Sequence, residues 1–312
     1  AVRDGETGRL RSKALWPSSK GFLKKEDIGS CDRGYHCASR NFMAVAYLDG
    51  ENPAIIAQKG NYNIIRLTAY DANLATIWEF DTDDGYDDFW GQGSHRLQIA
   101  DIDGDGKDEI VIGTAAIDHD GRGMWSFGPR FGYSHPDINY VADIIPDRPG
   151  LEVFFGIEPS RKSHGICLAD ARTGDIIWAY DKHTAHIHFG AIGNIDLRYE
   201  GIECFALEQD YSNSWLYSGR GYRIPADSLE RIVINNGCPI FLDWDDDEQK
   251  EVVLQNGPKY SIEKFGGVKY CDIEGDIRAV VDCGGDWREE IITAVPGEIR
   301  IYSPTSEAPH KK

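Results

Sequence analysis

An all-β fold is predicted, a β-propeller of about six to eight blades with calcium-binding loops between strands, and three observations predict it. An acidic loop followed at once by a strand-like run recurs along the chain. Short β-prone runs are punctuated by Gly, Asp and Asn, and sustained helical periodicity is absent. The recurrence has the length of one four-stranded propeller blade.

The copies follow one another in order. A weak one, Asp49-Gly-Glu-Asn-Pro-Ala-Ile-Ile56, comes first, and the best, Asp101-Ile-Asp-Gly-Asp-Gly-Lys-Asp-Glu109 followed by Ile110-Val-Ile-Gly113, comes second. The unit returns as Asp143 to Glu152, Asn194 to Glu203, Asp243 to Glu251 and Asp282 to Glu290, with starting points 39–52 residues apart. Further strands are expected within the units at Ile64–Leu67, Ala75–Phe80, Gly165–Leu168 and Asp175–Tyr180. The repeat runs the length of the chain, so residues 1–312 are expected to form a single propeller domain.

With 33 basic and 52 acidic side chains the net charge is −19. Phosphate-backbone binding needs clustered Lys and Arg, so nucleic acid is excluded as a partner. A 41% hydrophobic composition supplies a core, and the apolar runs fall far short of the ~18–20 residues of a membrane span, so no membrane partner is expected. The chain is read as soluble and monomeric. It begins at Ala1 without an apolar leader, which marks a processed chain or an excised piece. Seven Cys occur without a C-x-x-C pair, against a zinc or thioredoxin-like site; Cys31 and Cys37 are close enough to staple a loop in an oxidising compartment, with free thiols as the other reading.

The acidic loops have the composition of a hard-cation site. Asp101, Asp103 and Asp105 alternate with turn residues, Lys107 offers a carbonyl, and Glu109 closes an oxygen shell of the kind Ca²⁺ prefers. Asp243, Asp245, Asp247 and Glu251 repeat that spacing, whereas the loops at Asp143, Asn194 and Asp282 are degraded and read as hydrogen-bonded turns. Such sites would staple sheets rather than do chemistry.

Several long motifs stand in one order: Gly91-Gln-Gly-Ser-His95 leading into the Asp101 loop, Ile117-Asp-His-Asp-Gly121, Pro146-Asp-Arg-Pro-Gly-Leu-Glu-Val-Phe154 and Gly285-Asp-Trp-Arg-Glu-Glu-Ile291. From roughly Ala69 to Tyr302 the chain resembles the rhamnogalacturonan lyases of polysaccharide lyase family 11. The resemblance implies a calcium-dependent propeller, secreted to the extracellular space or the periplasm, that cleaves an acidic rhamnose-containing polysaccharide by β-elimination. Measured against the family, the chain is expected to be shorter than a full member, with a preceding β-sandwich and the further strands the family adds after the Trp287 motif expected to lie outside it.

β-Elimination at a 4-linked uronate needs its carboxylate neutralised, a base on the C5 proton and a proton for the leaving oxygen. In the family a calcium held by two His, an Asp and a Glu supplies the first, and the matching positions here are His95, His135, Asp137 and Glu158. The departures fall around them. Pro129-Arg-Phe-Gly-Tyr133 is an insertion, and Pro136 stiffens the His-x-Asp. A His replaces the family's Arg near Thr184-Ala-His186-Ile-His188, and Gly275-Asp-Ile-Arg278 replaces a sugar-binding loop. His186 or His188 is therefore the expected base, with Arg278 also assigned to the reaction and Lys269 and Tyr133 in reserve. Trp90, Tyr133 and Tyr140, with Trp125, are placed to stack on sugar rings. The substrate is expected to be rhamnogalacturonan or a rhamnose–glucuronate glycan. A second class stays open, a non-catalytic calcium-stapled propeller binding glycans or proteins; hydrolysis by a carboxylate pair is weaker, because the calcium loops account for the carboxylates.

Overall fold

The computed structural model describes residues 1–22, 39–225, 232, 234–235, 238–256 and 259–305. Among them the chain is all-β, with two brief helical turns at Asp87–Phe89 and Gly128–Phe131. Cys31 and Cys37 lie outside the described residues.

Six sheets among the described residues carry the repeat, each an antiparallel meander in chain order. The first is Asn41–Ala46, Ala54–Lys59, Arg66–Tyr70 and Thr76–Asp81. The second is Gly93–Ala100, Glu109–Gly113, Ala115–Ile117 and Gly123–Ser126, and the third is Pro136–Ala142, Glu152–Ile157, Ile166–Asp170 and Ile176–Ala179. Ile187–Gly193, Glu203–Glu208 and Ser214–Tyr217 make the fourth. The fifth is Phe241–Leu242, Glu251–Asn256, Lys259–Lys264 and Lys269–Ile273, and the sixth is Asp276–Val281, Glu290–Val295 and Glu298–Tyr302. All six repeat loops connect the first strand of a sheet to its second.

The loops close by the same device. Five of the second strands begin with a Glu, namely Glu109, Glu152, Glu203, Glu251 and Glu290, none more than 4% exposed. One oxygen turns back into the loop: that of Glu109 accepts the Ile102 N–H at 2.9 Å, Glu203 those of Ile195 and Asp196, Glu251 that of Trp244, and Glu290 those of Cys283 and Gly284. The first Asp does likewise at the other end, Asp101 accepting from Gly104 and Gly106. Backbone N–H groups in a tight loop have no strand to pair with, and side-chain carboxylates satisfy them.

Backbone bonds also run from loop to loop. Tyr47 and Asp108 exchange bonds through Asp108 N–H to the Tyr47 carbonyl and Tyr47 N–H to the Asp108 carboxylate. Lys250 N–H donates to the Asn194 carbonyl at 2.7 Å, and Glu289 N–H to the Asp243 carbonyl at 2.8 Å.

Packing divides the chain into two compact units, residues 1–142 with 150–187, and 143–149 with 188–312. Within each, alternate residues of one strand enter different cores. Ile110 and Ile112 join Ile56, Leu67 and Phe80, while Val111 between them joins Trp125, Val153 and Phe155. In the second unit Val252 and Leu254 pack with Phe205 and Leu216, and Val253 with Leu242, Ile262 and Ile291. Strands buried on both faces read as unbroken apolar runs, which is why they stand out in the sequence.

Two local expectations shift. The strand expected from Ile64 starts at Arg66, because the Ile65 N–H is taken by Thr82 Oγ1 at 3.0 Å instead of a neighbouring strand. The Gly275–Arg278 segment, expected as a loop, opens a strand at Asp276, since Ile277 pairs with Thr293.

Candidate active site

Three sheets of the first unit bring side chains to one place. The segment leaving the second strand of the first sheet supplies Asn61 and Tyr62, Gly93–Ala100 supplies His95, and Pro136–Ala142 supplies Asp137, with His135 just before it. Glu158 follows Ile157 and is fixed by its own N–H, which donates to the His135 carbonyl at 3.0 Å. One ligand atom from each of His95, His135, Asp137 and Glu158 lies within 4.8 Å of the others. His95 Nε2 is 3.2 Å from Asp137 Oδ1 and 3.3 Å from His135 Nε2; His135 Nε2 is 3.0 Å from Glu158 Oε2.

The ring orientations follow from neighbours absent from the sequence-based site. His135 Nδ1 lies 2.9 Å from the Asn61 carbonyl, so this nitrogen carries the proton and donates, turning Nε2 toward the carboxylates. Tyr62 stacks on the His135 ring with centroids 4.1 Å apart, and its hydroxyl lies 3.3 Å from His95 Nε2. The Asn61 amide sits 3.0 Å from His95 Nδ1. Burial opposes protonation of His135, but the Asp137 and Glu158 carboxylates prevail and hold it up at about 9. Burial lowers His95 despite Asp137.

The Gly91-Gln-Gly motif explains the rim. Gln92, fully buried, donates to the carbonyls of Trp90 and Gly132 at 3.0 and 2.9 Å, and Thr114 donates to its Oε1. Gly91 has a φ of 77°, and a Cβ there would meet the Tyr133 ring at 2.6 Å. The insertion at Pro129–Tyr133 is thereby laid over Gly91, and Arg161 ties its carbonyls at Phe131 and Tyr133. Tyr133 ends roughly parallel to His135 with centroids 6.5 Å apart, and Trp90 is half-buried beside the motif.

The remaining candidates have different surroundings. His186 Nε2 lies 2.6 Å from Asp137 Oδ2, the carboxylate oxygen that His95 does not face. Tyr140 lies under Arg96, 4.8 Å from guanidinium to ring. Trp125 is core, its Nε1–H donating to the Ala171 carbonyl and its ring filling the space above Gly174, so it has no face for a sugar. In the second unit His188 lies on the Ile187–Gly193 strand with its ring 4.5 Å from that of Phe189, and exposed Arg278 pairs with Asp276 of its own strand.

The two well-formed acidic loops differ. Asp101, Asp103 and Glu109 come within 4.8 Å of one another, and fully buried Glu109 Oε1 has no hydrogen-bond partner. His119 adds Nδ1 at 3.6 Å from Glu109, while the Lys107 ammonium lies outside, 3.4 Å from Asp105. At Asp245, Asp247 and Glu251, by contrast, the ammonium of Lys264 stands among the oxygens expected to hold calcium.

The model of the rhamnogalacturonan lyase family 11 C-terminal domain matches residues 1–312. The chain belongs to this family. It is similar to the rhamnogalacturonan endolyase YesW of Bacillus subtilis, 33% identical over 326 residues that cover 99% of this chain and 49% of the relative. The exolyase YesX of the same organism is 33% identical over 337 residues, covering 99% and 52%. The crystal structure of YesX matches with a TM-score of 0.80 at 32% identity over 97% of this chain and 52% of that one, and a Bacillus licheniformis family member with 0.80 at 32% over 99% and 52%. The chain thus spans about half the length of the curated relatives it matches.

Proposed function

We propose that this chain forms the catalytic β-propeller of a polysaccharide lyase that cleaves rhamnogalacturonan by metal-assisted β-elimination, the six sheets being its blades. The observation that carries the reading is Asp137, whose two oxygens serve different partners: one faces His95 and His135, the other His186. The donor set of two imidazoles and two carboxylates, with His135 and Asp137 buried, fits a divalent cation. A cation held there supplies Lewis-acid neutralisation of the uronate carboxylate, which acidifies the C5 proton.

The protein's own groups supply the base and its positioning. Asp137 orients His186 by accepting its Nε2–H, the logic of a carboxylate-oriented imidazole, and His186 is assigned as the base on the C5 proton. Tyr62 and the Asn61 carbonyl hold His135 so that both Nε2 atoms converge. Tyr133 and Trp90 on the rim offer ring faces to a sugar. At the Asp101 loop the orphaned Glu109 oxygen fits a calcium of structural role.

The test is absorbance of the unsaturated uronate during incubation with rhamnogalacturonan and calcium, for the parent chain, Asp137→Asn and His186→Ala. Product from the parent, with a loss of roughly 10²–10⁴-fold in His186→Ala, is expected. Binding of the polymer without product would favour the non-catalytic glycan-binding reading instead.

A further inference from the structure

The loop at Asp243–Glu251 has the carboxylate spacing of the Asp101 loop, yet its third-strand neighbour is different. Antiparallel register sets Glu251 opposite Lys264. In the second sheet Ile110 faces Ile117, so the place opposite Glu109 belongs to Asp118. A strand end that is an acid in one sheet is an amine in the other.

Lys264 uses that position fully. The residue is only 9% exposed, and its Nζ lies 2.7 Å from Asp247 Oδ1, 2.7 Å from the Gln249 carbonyl and 3.2 Å from Asp245 Oδ1, and is bonded to Glu251. These are the third, fifth, seventh and ninth positions of the loop, the counterparts of Asp103, Asp105, Lys107 and Glu109. A buried ammonium requires such a set of acceptors, and four oxygens already turned toward one point supply it. The first carboxylate, Asp243, is paired separately with Lys250. Burial opposes the charge on Lys264, but the Asp247 and Glu251 carboxylates hold it protonated. The Tyr270 hydroxyl donates to the remaining oxygen of Asp245 and closes the group.

We infer that Lys264 is the resident cation of this loop, so that the fifth sheet takes no divalent ion, and that removing the ammonium uncovers a latent divalent-cation site on the same oxygens. The disagreement with the calcium expected from spacing is one of charge: a divalent ion and the ammonium cannot share the position.

Calcium bound per chain is counted after equilibrium dialysis, and thermal midpoints are read in calcium and in chelator, for the parent, Lys264→Met and Asp247→Asn. Lys264→Met keeps the apolar stem without the charge. It is expected to bind one more calcium than the parent and to gain a calcium-dependent rise in midpoint of roughly 2–4 °C or more. Asp247→Asn in the parent background is expected to leave the calcium count unchanged. An unchanged count in Lys264→Met, or one calcium lost in Asp247→Asn, overturns the inference. Should Lys264→Met not fold, the Asp247→Asn count decides alone.

Discussion

The loops at Asp101–Glu109 and Asp243–Glu251 share a backbone device and a carboxylate spacing, and differ in what answers the buried glutamate. In the fifth sheet Glu251 meets the Lys264 ammonium. In the second, Glu109 is pushed up to about 7 by burial and by Asp103, Asp105 and Asp101 around it, and its outer oxygen has no hydrogen-bond partner. A third solution appears in the fourth sheet, where Arg198 engages Asp196 but leaves Glu203, also pushed up to about 7 by burial. One architectural need, a Glu that caps the loop from a fully buried place, is thus met by an ammonium, by a proton, or, as proposed for Glu109, by calcium. The carboxylate spacing alone does not say which.

The comparison would break most visibly at Glu251. Glu251→Gln keeps the volume and an acceptor for the Trp244 N–H but leaves Lys264 short of its buried counter-charge, a change expected to cost about 3 kcal/mol or more. Denaturant midpoints should fall equally in calcium and in chelator. A loss seen only in calcium would mean that the loop holds an ion.

Glu109→Gln should behave the other way. In calcium at ~100 times its dissociation constant the variant is expected to lose about 2–3 kcal/mol relative to the parent. In chelator above pH 7 it should be no less stable than the parent, because the substitution removes a carboxylate that burial and three aspartates disfavour. Equal losses in both solutions would reduce Glu109 to a hydrogen-bonding cap.

The smallest effect belongs to Glu203. Its pKa in the folded chain is raised to about 7 from an ordinary 4.5, so the folded state holds the proton more tightly than the unfolded one between those values. Its contribution to stability is therefore largest below about pH 4.5 and declines as pH rises through about 7. Unfolding measured from pH 5 to 8 in chelator should show a decline that is shallower in Glu203→Gln. An unaltered slope would place the titration elsewhere.

These contrasts also mark what was legible in the sequence. The six loops were visible because Asp and Gly recur beside doubly buried apolar strands, and each lies between first and second strands. His95, His135, Asp137 and Glu158 were legible through motif order, and the structure brings them to one place. Asn61, Tyr62 and Arg161 were not, because an Asn-Tyr-Asn run after a strand and an Arg in a polar turn look like ordinary surface, although Asn61 is fully buried. Lys264 was missed for a related reason. It stands 13 residues beyond Glu251 along the chain and becomes its neighbour only through strand register. Trp125 shows the opposite error, an aromatic near the motif that belongs to the core.

The backbone bonds that pass from one loop to the next bear on how the molecule comes apart. Because Glu289 holds the Asp243 carbonyl and Lys250 holds that of Asn194, fraying at the sixth sheet strips a partner from the fifth loop, and fraying at the fifth strips one from the fourth. Local opening within the second unit is coupled in this way from sheet to sheet, like a row of latches each held by its neighbour. On the inference drawn for Lys264, the middle latch carries its own ammonium and would stay fastened without a divalent ion.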